Sequence, residues 1–115
     1  APEQTLEEMD FFNVPRNRKA ILEREGRRCF YCLRTLDSTN HVIEHVSSRA
    51  TEGNGFRNVV AGCRACNNKK SDSSVEDFLL SLYRNGLLSP DEFADRSRAL
   101  ERLRAGELRP VIGST

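Results

Sequence analysis

The sequence predicts an α+β domain: a small ββα unit with one helix before it and two after it. Three observations lead there. Four cysteines fall as two C-x-x-C pairs, Cys29–Cys32 and Cys63–Cys66, with 30 residues between the pairs. That intervening stretch holds two short apolar runs separated by the loop-forming segment "TEGNG". The flanking segments carry apolar residues at helical spacing, bounded by capping residues. At 115 residues the chain fits one domain with a modest core, taken as 1–115 with the central unit at 26–72.

Taken in order, residues 1–12 read as a flexible or loosely docked lead-in. The segment "NVPRNRKAILEREG" predicts a helix over about 15–25, with Asn13 as cap, Pro15 in the first turn and Gly26 at the exit. Ala20, Ile21 and Arg24 lie on or near one face. "RRCFYCLRTLD" is a turn with short strand character around Phe30–Tyr31. "NHVIEHVSSRA" alternates, with His41, Ile43 and His45 on one side and Val42, Glu44 and Val46 on the other. "FRNVVAGC" is a second strand, and a helix opens near Arg64. A helical extension follows over about 74–106. In its first helix Ser74 caps, and Val75, Phe78, Leu79, Leu82 and Tyr83 face a core. In its second, Ser89 and Glu92 form a capping-box pattern and Gly106 is the stop.

Two C-x-x-C pairs let four thiolates close on one ion, and a tetrahedral Zn²⁺ site has sulfurs at about 2.3 Å from the metal. Disulfides and redox roles are the rival readings, since four cysteines allow three pairings. An insert of 30 residues is longer than the ~15–20 of simple zinc ribbons. It holds a structure of its own, one too small to fold on apolar burial alone without a structural zinc.

No apolar run approaches the ~20 residues of a membrane span, and the acidic start "APEQTLEEMD" lacks the basic-then-apolar pattern of a secretion signal. The expectation is a soluble, cytoplasmic protein with no membrane partner; oligomeric state is left open. The net charge of +1 is unevenly placed. Residues 1–15 carry four acids and no base. Residues 16–70 carry twelve Lys/Arg against five acids, a net +7, and residues 71–115 a net −2. The basic block coincides with the cysteines and both histidines, the local field expected for phosphate binding.

The stretch "VIEHVSSRATEGNGFRNVVAGCRACNNKKSD" then becomes specific. It resembles the HNH nuclease signature: an acid followed by His, then Asn, then C-x-x-C followed by His or Asn. "CFYC" resembles the zinc-bound, ββα-metal subgroup, and "VPRNRKAILEREGRRC" its lead-in helix. The resemblance covers residues 14–72 and makes the third motif position Asn, a His-Asn-Asn variant. It implies a metal-dependent endonuclease acting on DNA, double-stranded, leaving 5′-phosphate and 3′-hydroxyl ends. By the same resemblance His45 is the general base, and Asn58 braces the loop and orients the histidine. Glu44 and Asn67 hold a catalytic Mg²⁺ or Mn²⁺, while Cys29, Cys32, Cys63 and Cys66 hold structural zinc. Glu44 stands where Asp is commoner, adding one methylene. Ser47 and Ser48 stand where Pro often follows.

The chemistry suits those roles. Phosphodiester hydrolysis takes a proton from water, a task for a near-neutral histidine worth on the order of 10²–10⁴-fold. It also neutralises charge on the phosphate, a task for a hard cation on oxygen ligands such as those of Glu44 and Asn67. Arg49, Arg57, Arg64, Lys69 and Lys70 are the phosphate-binding candidates. Plainer readings stand beside these. His41 is equally a polar residue at a strand start, Asn58 a turn residue and Glu44 an ion-pair partner for Arg49 or Arg57. Lys69 and Lys70 suit a solvated face, Asn68 has no assigned role, and Arg96, Arg98, Arg102 and Arg104 interleave with acids as on a solvated helix. The alternative to an enzyme is a non-catalytic zinc module that binds nucleic acid or a protein partner, or a structural zinc domain of a larger assembly.

Overall fold

The computed structural model describes residues 6–37, 39–47, 53–71 and 73–111. In chain order these form α1 (Pro15–Arg24), β1 (His41–His45), β2 (Val59–Cys63), α2 (Arg64–Lys70), α3 (Val75–Arg84) and α4 (Pro90–Arg104), after a single 3-10 turn at Leu6–Glu8. The architecture is the α+β arrangement expected, with a two-stranded antiparallel sheet at its centre.

The strands pair in a register that matters for everything below. His41 lies opposite Cys63, Ile43 opposite Ala61, and His45 opposite Val59. The cysteine end and the His45 end are therefore opposite ends of one hairpin, roughly 13 Å apart at about 3.3 Å per residue. All five residues of β2 are buried, as expected of a strand covered on both faces. Both α1 and α2 pack against the sheet. From α1 comes Arg24, buried in an ion pair with Glu25 at 2.9 Å. Its guanidinium also donates to the carbonyls of Phe56 and Val59, at 2.9 and 2.8 Å. Those bonds tie the helix to the start of β2 and satisfy a charge that would otherwise be costly to bury.

The C-terminal helices extend the core. Val75, Phe78, Leu79 and Leu82 of α3 are buried with Ala99, Leu100 and Leu103 of α4. Phe78 meets Tyr31 edge-on at 5.3 Å, joining this pair to the cysteine-bearing turn. Ser74 caps α3 through the Asp77 amide, and Ser89 with Glu92 completes a capping box on α4.

Several local expectations change. The cap of α1 is Val14, without a side-chain bond; Asn13 instead gives its amide and side-chain N–H to Asp10. Phe30–Tyr31 form a turn, not a strand, because the chain must fold back to aim Cys29 and Cys32 at one point; the pairing there is a bridge between Arg28 and Thr35 and a single bond from the Phe30 amide to the Ala61 carbonyl of β2 at 2.9 Å. The lead-in is firmly docked over its described part. Phe11 is fully buried against Phe56, and its amide donates to the Asn54 carbonyl at 2.9 Å. Tyr83 stays partly exposed, stacked on Phe93 at 4.9 Å. Arg96 is not solvated: it lies over the Phe30 ring at 5.4 Å and donates to the Phe30 carbonyl.

Candidate active site and metal centre

The cysteine end is a metal centre by the chemistry of its donors. Cys29 and Cys32 leave the turn after α1, Cys63 ends β2, and Cys66 lies in the first turn of α2. The four Sγ atoms all lie within 4.8 Å of one another. Cys32 Sγ and Cys63 Sγ are 3.8 Å apart, which matches the edge of about 3.8 Å for a tetrahedron of sulfurs 2.3 Å from zinc. A disulfide needs sulfurs at about 2.05 Å, and all four cysteines are free. The Cys32 amide points at Cys29 Sγ at 3.5 Å, and the Cys66 amide at Cys63 Sγ at 3.4 Å. Each C-x-x-C turn thus aims a backbone N–H at its first sulfur, which favours thiolate there. The Cys32 thiol is held down to about 3 by hydrogen bonds with Cys29 and Cys66. The same kind of contact, with Cys29 and Cys32, pushes Cys66 up. Four crowded sulfurs sharing few protons are the donor set a structural dication such as zinc takes.

The other end of the hairpin carries the polar residues. Asn58 is only 4 % exposed and spans the loop between the strands. Its Oδ1 accepts from the Ser47 amide at 2.8 Å. Its Nδ2 donates to the carbonyls of Ser47 at 3.0 Å and Gly53 at 2.8 Å. One side chain thereby closes both sides of the loop, which leaves the turn that brings Asn54 back towards β1 with few degrees of freedom.

Within that frame His45 is partly buried. Its ring stacks on Phe12 with centroids 4.2 Å apart and planes 29° from parallel. Its Nε2 lies 2.7 Å from Asn54 Oδ1. Asn54 Nδ2 in turn points at Asp10 Oδ2 at 3.4 Å. Burial works against the Asp10 charge, but hydrogen bonds from Asn13, Phe12 and Asn54 outweigh it and hold the carboxyl below its usual range. Arg18 covers the outer side of this group, 5.6 Å over the Phe12 ring and bonded to the Phe12 carbonyl.

Glu44 points to the other face of β1. It is buried, and its Oε1 accepts a hydrogen bond from the Tyr31 hydroxyl. Its Oε2 is the one buried side-chain polar atom among the described residues without a hydrogen-bond partner. Burial raises the Glu44 carboxyl above its ordinary value, against the pull of the Tyr31 hydroxyl and the Lys70 charge. Lys70, 8 % exposed, sits on the inward face of α2 with Cys66. Its stem is packed into the fold, and its charge acts favourably on the Glu44 carboxylate. Asn67 and Lys69 lie on the exposed side of the same helix, with Asn68 beside them. Among the described residues Asn67 makes no hydrogen bond to Glu44 or His45; its backbone carbonyl receives the Ser71 amide.

The remaining candidates scatter. Arg57 is paired with Glu7, at 2.6 Å at the shortest, and not with Glu44. It also fills the space beside Gly106, where a β-carbon would come within 2.7 Å of the guanidinium. Arg64 is exposed and donates to the Thr39 carbonyl at 3.2 Å. His41 bonds to the Asp37 carbonyl at 2.7 Å, at the cysteine end. Arg49 lies outside the described residues.

Residues 29–73 match the family model of the HNH endonuclease. The match spans the four cysteines, both strands and α2, and stops before α3. It points to nuclease chemistry and to nucleic acid as substrate. No curated protein and no solved structure matches the chain.

Tyr31, Phe12, Asn54 and Asp10 are the site residues that the sequence reading missed. Tyr31 stands inside a C-x-x-C pair, where short strand character is the expectation and no polar role is assigned. Asn54 read as loop filler, and Asp10 and Phe12 belonged to a lead-in with no recognisable pattern.

Proposed function

We propose that this protein is a metal-dependent endonuclease that hydrolyses phosphodiester bonds of DNA, double-stranded, with His45 as the general base. What carries the reading is that the HNH match covers a strand bearing two adjacent groups of the needed kinds. One is a histidine with a ring nitrogen still to use. The other is a buried carboxylate with an unsatisfied oxygen. An unpaired buried carboxylate oxygen is costly unless a cation or donor reaches it, and this one fits a hard divalent ion. Glu44 and Asn67 are the residues that would hold Mg²⁺ or Mn²⁺, both offering oxygen. Such an ion, when bound, neutralises charge on the phosphate and the leaving oxygen.

The chain's own residues do the rest. His45 takes the proton from the attacking water through Nδ1, since Nε2 is engaged by Asn54. Phe12 holds the ring plane. Asn58 keeps the loop closed so that Asn54 stays opposite the histidine. Arg64 and Lys69, exposed on the first and last turns of α2, meet the phosphate backbone. Zinc, at the far end, sets the position of α2 relative to the sheet.

The test is purified zinc-loaded protein incubated with plasmid DNA and Mg²⁺ or Mn²⁺, beside a reaction without added divalent ion, for wild type and His45→Ala. Cleavage by wild type that needs the ion and is lost in the variant supports the proposal. Absence of cleavage of any single- or double-stranded DNA or RNA leaves a zinc module that binds without cutting.

A further inference from the structure

Two side chains far apart in sequence fix the chemistry of His45. We infer that Asp10 and Asn54 form a positioning relay that holds His45 in its Nε2–H tautomer and reserves Nδ1 for the reacting water. The inference rests on the reading of His45 as the base.

Each step follows from what the atoms can donate. An ionised carboxylate only accepts hydrogen bonds. Asp10 Oδ2 therefore requires the atom of Asn54 that faces it, at 3.4 Å, to be the amide nitrogen. That choice turns the amide oxygen towards His45, 2.7 Å from Nε2. An amide oxygen also only accepts, so Nε2 must carry the hydrogen. In the neutral ring the lone pair then belongs to Nδ1. With Asn54 flipped, a donor would face Nε2, the hydrogen would move to Nδ1, and the base would be lost at the nitrogen that is free to act. Among the described residues no hydrogen bond is made to Nδ1.

The relay is built, not incidental. Asp10 Oδ1 is occupied by the amides of Phe12 and Asn13, both at 2.8 Å, so Oδ2 is the oxygen left for Asn54 and for the Asn13 side chain. The Asp10 carbonyl is fixed by Asn17 Nδ2 at 2.8 Å, from a buried residue of α1. Asn54 is fixed at its backbone by the Phe11 amide. Phe12, between those anchors, clamps the ring face. The docked lead-in therefore supplies both the orientation and the tautomer of a histidine more than thirty residues later. Asn54 and Asp10 are positioning residues: neither touches the reacting atoms.

The test compares Asn54→Ala and Asn54→Asp with wild type. Nitrogen-15 NMR of the neutral His45 ring reads the tautomer, and steady-state cleavage reads kcat and KM. Wild type is expected to show hydrogen on Nε2. Asn54→Ala is expected to lose that preference and to lower kcat at least about tenfold, within the ~10²–10⁴ that a general base contributes, with KM little changed and zinc retained. Asn54→Asp keeps an acceptor opposite Nε2 but sets a second carboxylate oxygen against Asp10 Oδ2, so it is expected to retain the tautomer and most of kcat only when paired with Asp10→Asn, which restores a donor to that contact. In a His45→Ala background, Asn54→Ala should cost nothing further, because it acts only through the ring. A wild-type ring protonated at Nδ1, an unchanged kcat in Asn54→Ala, or additive losses in the double variant would each overturn the relay. The NMR result stands even if no nuclease activity is found, so failure of the relay and failure of the nuclease reading are separable.

Discussion

The Tyr31 hydroxyl donates to Oε1 of Glu44 inside the fold, and the second oxygen of that carboxylate has no hydrogen-bond partner among the described residues. Tyr31 is fully buried between the two cysteines of its turn, so the four-sulfur cluster and the acidic strand residue are mechanically joined. Tyr31→Phe removes the only hydrogen bond to the buried carboxylate among the described residues. It should destabilise the protein by about 1–3 kcal/mol, the usual cost of leaving a buried polar group unpaired. In a Glu44→Leu background the same change should cost far less. Denaturant unfolding of the four proteins measures the difference, and equal costs in both backgrounds would show the bond to be unimportant.

The four-sulfur centre should contain one zinc ion per chain, and Cys63→Ser should abolish most of the fold. Structural zinc contributes roughly 10–16 kcal/mol of apparent binding free energy in small domains. The two cysteine pairs join the turn after α1 to the start of α2. Metal analysis with circular dichroism before and after a strong chelator reads both; a folded, zinc-free protein would refute the assignment.

Catalysis separates the two polar groups on β1. His45→Ala should keep zinc, fold and DNA affinity while losing most cleavage. Glu44→Ala should lose cleavage through the divalent ion, so that raised Mn²⁺ restores part of it. Raised Mn²⁺ should do little for His45→Ala, since no base returns. Cleavage titrations against Mn²⁺ distinguish the variants, and a His45→Ala protein as active as wild type would remove His45 from the mechanism.

DNA binding should depend on salt through the exposed cations. Arg64→Ala and Lys69→Ala should each flatten the log–log salt slope by about 0.9 if each meets one phosphate of duplex DNA. Lys70→Ala should instead lower stability, because its stem is packed into the fold and its charge favours the buried Glu44 carboxylate. Fluorescence anisotropy over a salt series checks the first expectation and thermal melting the second.

Acid should loosen the lead-in through Asp10. Its folded-state pKa is depressed below the ordinary value of 3.8, so its contribution is present above that value and is lost as pH falls through the lower folded one. Asp10→Asn should lack this component. The difference between the two proteins, followed by the NMR shifts of Phe12 and His45 between about pH 5 and 2, isolates Asp10 from protonation of the zinc thiolates; superimposable curves would count against it.

Much of the architecture was legible because it follows from local rules. Cysteine spacing announced the metal centre. Pro15 and Gly26 bounded α1, and Ser74 and the Ser89–Glu92 pair opened α3 and α4 through bonds made within four residues. The alternation of 41–46 and the apolar run 59–63 marked the strands. None of those signals depends on which distant segment lies nearby.

Tertiary structure decided the rest. Asp10 to Asn54 spans more than forty residues, Tyr31 to Glu44 thirteen, and Arg57 to Glu7 fifty, and no periodicity encodes such pairs. Lys69 and Lys70 are neighbours of one type, yet α2 turns one to solvent and the other under Glu44, because about 100° of rotation per residue separates their faces. The sequence by itself determined the cysteine ligands, the helix ends, the two strands and the chemical types available at the site. Only the packing of the lead-in and α2 onto the hairpin decided which nitrogen of His45 is held, which oxygen of Glu44 is left, and which lysine packs its stem inside, since those outcomes depend on angles and distances between segments that the chain connects only through space.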